Sequence, residues 1–428
     1  MNKHRILILG SGGREHAMAH SIAKSPACEA LFVAPGNAGT AQIAQNVELS
    51  VSDFGRIEAF CLSAQISLVV VGPEVPLVEG VVDYFKQQPS LSSVLVVGPD
   101  KVAAQLEGSK DFAKAFMTKY GVRTAAYATF TKETLSEGLA FLDELKPPYV
   151  LKADGLAAGK GVLILHDLSE AKLKLNAFLS EGLFGEAGAK VVVEEFLEGI
   201  ECSCFVAIDA NHQYQLLPLA KDYKRIGEQD TGPNTGGMGA VSPVPFVDAA
   251  LSARIVDEIV IPTVEGIRAE KYHYPGFVFI GLMIVQGTPY VIEYNVRMGD
   301  PETEVVFPRI QSDAVEMLEA MCLGTLEQYK LEVTSEFATT VIAVSGGYPD
   351  AYEKGMKISG LEKASASQVF HAGTTIKDDE IVTSGGRVLA ITSFGATLQQ
   401  ALGKSYASLA HIAFDKMYYR RDIGKDLM

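Results

Sequence analysis

The chain has 428 residues and a formal net charge of −15, which argues against a nucleic-acid partner, because phosphate backbones are bound by basic surfaces. Its 48% hydrophobic and 21% charged residues are those of a folded globular chain and exclude a disordered or fibrous one. No apolar run reaches membrane-spanning length, and the first residues run straight into a strand without a leader pattern, so the expectation is a cytoplasmic protein with no membrane partner.

The short run from Arg5 to Leu9, apolar after Arg5, leads into Gly10, Gly12 and Gly13, after which a helical pattern continues to about Lys24. Strand, glycine-rich turn and helix in that order open a doubly wound α/β domain with a parallel sheet. The turn lacks the third glycine of a dinucleotide fingerprint, since Glu15 stands in its place. The strand at 31–33 also has no acidic residue at its tip for a ribose hydroxyl. A nicotinamide dinucleotide is therefore excluded, whereas a small phosphate on the turn amides is not. Two more strands, at 68–71 and 94–97, end in Gly72-Pro73-Glu74 and Gly98-Pro99. Asn37 and Glu74 then lie at the C-terminal edge of the sheet, where open α/β sheets bind ligands; each also reads as an ordinary turn residue. A domain boundary is expected near residue 102.

A helical pattern starts near Lys101 and carries Lys110. A strand at 147–151 delivers Lys152, and Gly155, Gly159 and Gly161 follow before the strand at 162–165. A glycine-rich loop between two strands can close its backbone over phosphates, or it is simply a hairpin. It is not a Walker loop, because a strand rather than a helix follows it. The strand at 190–193 breaks across Glu194, Glu195, Phe196 and Leu197 and resumes at Glu201. Such a break frees main-chain groups to pair with an adenine edge and sets Glu201 to accept from ribose hydroxyls; an acidic hairpin is the alternative. Cys202 and Cys204 share a strand face and read as free buried thiols, since five scattered cysteines give no disulfide framework. Residues 231–240 hold four glycines and a proline and are predicted to be a long loop, neither helix nor central strand. Asp222, Lys224 and Arg225 precede it, and the two cations suit an anion.

The stretch 291–302 carries the most chemistry. Its alternation predicts a half-buried strand with Glu293, Asn295 and Arg297 on one face and Ile292, Tyr294 and Val296 in the core. A carboxylate and an amide oxygen two residues apart suit a hard cation, and Arg297 suits a phosphate or carboxylate. A surface strand with a salt-bridged arginine is the plain alternative. Residues 331–428 read as a last, packing unit with strands at 339–344 and 388–392 and a helix at 398–412. Residues 345–347 and 384–387, the latter including Arg387, read as turns rather than sites.

Taken together, the motifs at 12–17, 34–40, 72–74, 106–110, 152–161, 230–240 and 297–302 resemble the ATP-grasp ligases. Within them the chain is similar to the phosphoribosylamine–glycine ligase (glycinamide ribonucleotide synthetase) family over essentially its whole length. The resemblance implies that ATP, glycine and 5-phosphoribosylamine give glycinamide ribonucleotide, ADP and phosphate through a glycyl phosphate, in purine biosynthesis. It implies ATP binding by Lys110, Lys152, the loop with Gly155, Gly159 and Gly161, the hinge at Glu194, Glu195, Phe196 and Leu197, and Glu201. It implies Mg²⁺ or Mn²⁺ at Glu293 and Asn295. The preceding strand at 281–284 lacks the further carboxylate of many relatives, which leaves the number of metals open. Gly12, Gly13, Asn37, Gly39, Glu74, Asp222, Lys224, Arg225, Asn234, Gly236 and Gly237 become substrate contacts, and Arg297, Asp300 and Glu302 order the reacting groups.

The implied architecture is an N-terminal parallel-sheet domain (1–102), a central ATP-grasp domain (103–330) with a mobile lid (122–192), and a mixed α/β C-terminal domain (331–428). A monomer is expected. Tyr223 stands where His is common in the family, and Met298 where an aromatic residue or Leu is common. The alternatives are a ligase of this fold acting on another acid or amine, and a non-catalytic nucleotide binder. The second requires the loss of a metal ligand or phosphate lysine, and Lys152, Glu293 and Asn295 are all present.

Overall fold

Ile6, Leu7, Ile8 and Leu9 are all fully buried because their strand, β1 (His4–Gly10), is the middle one of a parallel sheet covered on both faces. The computed structural model describes residues 2–156, 161–181 and 189–428. With β2 (Cys28–Pro35), β3 (Gln45–Asn46), β4 (Leu68–Val71) and β5 (Leu95–Val97), the sheet has the order β3-β2-β1-β4-β5. Alternate side chains go to two different cores. Leu7, Leu9, Val69 and Val71 pack with Phe116, Ile255 and Tyr294 from later in the chain. Ile6, Ile8, Leu68 and Val70 pack with Met18, Phe205 and Met317. The first sheet is thus welded to the rest of the molecule through both faces.

A second sheet consists of β6 (Tyr127–Thr131), β7 (Tyr149–Ala153), β8 (Val162–Leu165) and β9 (Lys190–Glu195), in the order β6-β9-β7-β8 and wholly antiparallel. Helices Leu135–Glu144 and Leu168–Glu181 cover it, and Phe130, Leu142, Leu151, Leu175 and Val193 form a core of its own. A third sheet, β11-β10-β16-β17, faces it; its strands are β10 (Ile200–Ile208), β11 (Tyr214–Leu216), β16 (Gly276–Val285) and β17 (Thr288–Asn295). Side chains of both sheets line one cavity of about 600 Å³.

The last sheet corrects the sequence reading of residues 231–240. Its order is β12-β15-β18-β22-β19, from β12 (Lys221–Asp222), β15 (Gly239–Ser242), β18 (Phe337–Val344), β19 (Gln368–His371) and β22 (Arg387–Gly395). Gly239 and Ala240 therefore lie in an interior strand. Glycine is needed at 239 because a Cβ there would meet Thr340 O at 2.7 Å and Ile423 at 3.0 Å. Residues Thr231–Asn234 form β14 of an exposed hairpin with β13 (Arg225–Gly227), and β20 (Thr374–Lys377) and β21 (Glu380–Thr383) form another. Helix Leu398–Leu409 packs on the last sheet through Leu398 and Leu402.

Two further expectations are revised. Residues 101–104 are turns, and helix starts at Gln105–Gly108 before Lys110–Tyr120. Alternation along 291–297 is broken by a bulge: Gly281 pairs with Glu293 but Leu282 with Val291, so Ile292 is the extra residue. Val291 takes the core place assigned to Ile292, which is half-buried and lines the cavity, whereas Tyr294 and Val296 are core as expected. No described helix is long and apolar enough to cross a membrane, and all five cysteines are free, with Cys202 and Cys204 buried.

Candidate active site

Lys110 begins helix Lys110–Tyr120, whose N-cap Ser109 accepts from Phe112 N, while Lys152 comes from β7. Both line the cavity. Lys110 Nζ donates to Gly155 O at 3.2 Å, and burial lowers its pKa although Glu293 works against that. Lys152 Nζ lies 2.9 Å from Glu194 Oε1, and Lys114 Nζ lies 3.1 Å from Glu194 Oε2. One buried carboxylate on β9 thus sits between two buried ammonium groups, as burial demands. Burial still pushes Lys114 down to about 8. Glu194, expected at the hinge, acts here as their counter-ion.

The break between β9 and β10 is present. Glu195 N donates to Ala126 O and Glu195 Oε1 accepts from Ala126 N, so this residue is held to the neighbouring strand. The main-chain groups of Phe196 and Leu197 bond to no described residue and these two residues line the cavity wall, as an adenine edge requires. Glu201 lines the cavity from β10, and its Oε2 takes a hydrogen bond from Lys224 Nζ at 2.5 Å. Lys224 also contacts Asp222 at 3.2 Å, so its charge is balanced by two carboxylates. Lys224 chiefly holds Glu201 below the usual carboxylate range, while burial raises Asp222.

Glu293 and Asn295 lie at the end of β17 beside the lysines. Glu293 makes no hydrogen bond or ion pair with a described residue. Asn295 Oδ1 accepts one bond, from Arg297 Nη2 at 3.0 Å, and its buried Nδ2 has no partner. A free carboxylate and an amide oxygen with a lone pair to spare fit a hard divalent cation. No group of three or more acidic, His or Cys side chains among the described residues forms a cation site by itself.

Of the remaining candidates, Glu74, Asp300, Glu302, Asn234 and Gly236 line the same cavity. Arg297 does too, but its guanidinium is bound to Glu107 at 2.7 Å and lies 3.4 Å from Glu74. Burial raises Glu302 to about 7, reinforced by Asp222, and Ser203 Oγ donates to it at 3.1 Å. Gly161 reaches the cavity from the loop, and Gly155 touches Lys110; Gly159 lies outside the described residues.

Several expected contacts are not brought to the cavity. Asn37 is buried with both amide hydrogens on Ser11 O and His371 O, and its Oδ1 accepts from Gly39 N and Thr40 N. It braces the loop. Gly12 N donates to Glu15 Oε2 at 2.6 Å, so the turn of Gly12 and Gly13 already holds a carboxylate where a phosphate was considered. Arg225 Nη1 closes its own hairpin on Gly232 O, and Gly237 packs against Pro301.

Five residues were not singled out from sequence. Arg14, Glu107 and Ser203 lie in stretches read for other residues. Lys114 is one helical turn beyond Lys110, a spacing that places both on one face and could have been read. Arg387 was read as a turn residue. It lines the cavity from the last sheet, donates to Gly236 O and Asp300 O, and pairs with Asp300 Oδ1 at 3.0 Å. No local signal marks it, because its partners are far away in sequence.

Three family descriptions match in succession: phosphoribosylglycinamide synthetase N domain over residues 4–107, its ATP-grasp (A) domain over 108–303, and its C domain over 338–426. The chain belongs to the phosphoribosylglycinamide synthetase family. It is 46% identical over 427 residues to a phosphoribosylamine–glycine ligase of Vibrio cholerae, covering 98% of this chain and 97% of that one. It is also 46% identical over 428 residues to the enzyme of that name from Escherichia coli strain K12, covering 98% of each. The crystal structure of phosphoribosylamine–glycine ligase from Thermotoga maritima superposes with a TM-score of 0.82 at 38% identity, covering 98% of this chain and 99% of that one. A biotin carboxylase domain of the Hydrogenobacter thermophilus 2-oxoglutarate carboxylase shares the fold, with a TM-score of 0.74 at 14% identity and coverage of 98% and 92%. This synthetase family member is an ATP-grasp ligase with a three-part α/β architecture.

Proposed function

We propose that the cavity joins glycine to 5-phosphoribosylamine at the expense of ATP, giving glycinamide ribonucleotide, ADP and phosphate in purine biosynthesis. The observation that carries this reading is the meeting of the phosphate lysines, the broken hinge and the Glu293/Asn295 face in one cavity of a chain 46% identical to such ligases across 98% of its length.

A glycine carboxylate is a poor electrophile until one oxygen becomes a leaving group. Its attack on the γ-phosphate supplies that by forming glycyl phosphate; the amine of the second substrate then displaces phosphate. Catalysis is mainly positioning and charge neutralisation. Lys110 and Lys152 hold the phosphates, and Leu197 and its neighbours read adenine. Glu201 accepts from the ribose through the oxygen not taken by Lys224. Glu293 and Asn295 would hold Mg²⁺ or Mn²⁺, which would supply positive charge to offset that of the phosphates. Asp300 and Arg387 face the sugar-phosphate end, and Glu302 with Ser203 lies beside the reacting groups. The lid at 122–192, which carries most of the second sheet, excludes water from the acyl phosphate. The division at 102 and 330, a monomeric state and a cytoplasmic setting complete the reading.

The test is ADP release with ATP and Mg²⁺, omitting one substrate at a time, with phosphoribosylamine made in situ from ribose 5-phosphate and ammonia. ADP that requires both substrates, with the product seen by mass, is expected. ADP formed with neither substrate, or none with both from folded protein, would overturn the assignment.

A further inference from the structure

The strand carrying the two expected cation ligands ends at Asn295, the last residue of β17 in the ladder, opposite Phe279. A strand end frays unless its next groups find partners. Here the next N–H, of Val296, has no strand to pair with. It donates instead to Glu107 Oε2 at 2.8 Å. The other oxygen of the same carboxylate accepts from Arg297 Nη2 at 2.7 Å. That nitrogen's second hydrogen goes to Asn295 Oδ1 at 3.0 Å. One carboxylate therefore replaces the missing ladder partner and, through one guanidinium nitrogen, sets the rotation of the Asn295 amide.

This linkage is built rather than incidental. The Glu107 side chain is 6% exposed and that of Arg297 15%. Glu107 comes from the short helix Gln105–Gly108, immediately before Lys110. Arg297 is fixed further by Met298 O, which accepts from Nη1 at 3.2 Å, and by Glu74 at 3.4 Å from Nε. A guanidinium has only donors, so the amide must turn its oxygen, not its nitrogen, toward Arg297. That fixes the direction of the remaining lone pair on Oδ1.

We infer that Glu107 and Arg297 form a latch that positions Asn295 as a cation ligand, with Glu107 a positioning residue rather than a contact to either organic substrate. The inference rests on the reading of Glu293 and Asn295 as the cation site. It reassigns Arg297 from ordering glycine or the sugar to holding the ligand in place. Outer partners of this kind tune metal affinity strongly, typically by about 10–100-fold when removed.

The experiment measures Mn²⁺ binding directly, from the free-ion electron paramagnetic resonance signal, with a non-hydrolysable ATP analogue present and no catalysis. Glu107→Gln keeps the shape but turns an N–H₂ toward one of the two donors, and a roughly 10–100-fold weaker Mn²⁺ affinity is expected. Arg297→Lys, which keeps charge but cannot donate twice from one fixed fork, is expected to move in the same direction. Circular dichroism confirms that each variant is folded. Analogue binding without metal should stay within about twofold, since the lysines and hinge are untouched. The decisive arm is the pair: in an Asn295→Ala background, Glu107→Gln should cost no further Mn²⁺ affinity. Equal losses in both backgrounds would overturn the latch, because Glu107 would then act independently of Asn295. Unchanged Mn²⁺ affinity in Glu107→Gln, with a raised KM for glycine, would likewise overturn it. Unchanged affinity in Asn295→Ala alone would instead overturn the cation-site reading itself.

Discussion

Replacing Glu194 by glutamine tests whether the phosphate end depends on a shared counter-ion. Its carboxylate lies 2.9 Å from Lys152 Nζ and 3.1 Å from Lys114 Nζ, and the lysine side chains are only 8% and 2% exposed. Glutamine keeps the volume but leaves two buried ammonium groups without an anion. Breaking a buried pair in this way costs about 3–5 kcal/mol. The position of Lys114 gives a consistent scale: lowering it from 10.5 to about 8 corresponds to about 3 kcal/mol of burial penalty that remains with Glu194 in place. Removing the carboxylate adds to that penalty. The assay is urea unfolding followed by circular dichroism, at pH 6, 7 and 9. The sign follows from proton counting. Folded Lys114 releases its proton near 8 and an unfolded lysine near 10.5, so the unfolded chain binds more protons between these values and stability from this group rises with pH there. In Glu194→Gln the folded value falls further, the window opens at lower pH, and the deficit against wild type shrinks from pH 6 to pH 9. A deficit below about 1 kcal/mol, or one that does not change with pH, would refute the shared counter-ion argument.

Three further outcomes are expected. Arg387→Ala removes a charge-assisted contact worth about 1.5–3 kcal/mol, so KM for phosphoribosylamine should rise roughly 10–100-fold with little change for ATP; steady-state kinetics decide this. Gly39→Ala places a methyl group 2.2 Å from His16 Cε1 and 2.7 Å from His371 Cβ, and overpacking of that kind should cost about 1–3 kcal/mol in urea unfolding. Acid should weaken the same junction. Burial lowers His371 to about 4 and His16 to about 3, so between the ordinary value of 6.5 and those values the unfolded chain binds more protons. Stability from each is complete above 6.5 and lost as pH falls, about 3 kcal/mol for His371, which the drop in unfolding midpoint from pH 7 to pH 4 measures.

Sequence alone was enough for the chemistry that sits in continuous patterns. A buried parallel strand reads as an unbroken apolar run, and β1 is one. Glycines between two strands, a strand broken at 194–199, and acid and amide two residues apart are local features. They marked Lys110, Lys152, Glu201, Glu293 and Asn295, all of which line one cavity. Glu15 in place of a glycine was equally local, and its carboxylate does occupy the Gly12 N–H.

What tertiary structure decided is which charges are free to meet a ligand. Charge and spacing cannot say whether a side chain is already partnered, because the fold decides which groups meet, whether two residues apart or hundreds. Lys224 looked like an anion contact but is balanced by Glu201 and Asp222. Asn37 looked exposed to substrate but is saturated by backbone, including His371 O from the last sheet. Arg387 looked like a turn residue, and only the packing of β22 against residues 236 and 300 brings it to the cavity. The bulge at Ile292 and the interior position of Gly239 arise likewise from pairing with strands that the local pattern does not contain. Local sequence sets what each segment can be, because backbone sterics and side-chain period act over a few residues. Desolvation and pairing act through space, and they settle which of those residues the cavity presents to a substrate.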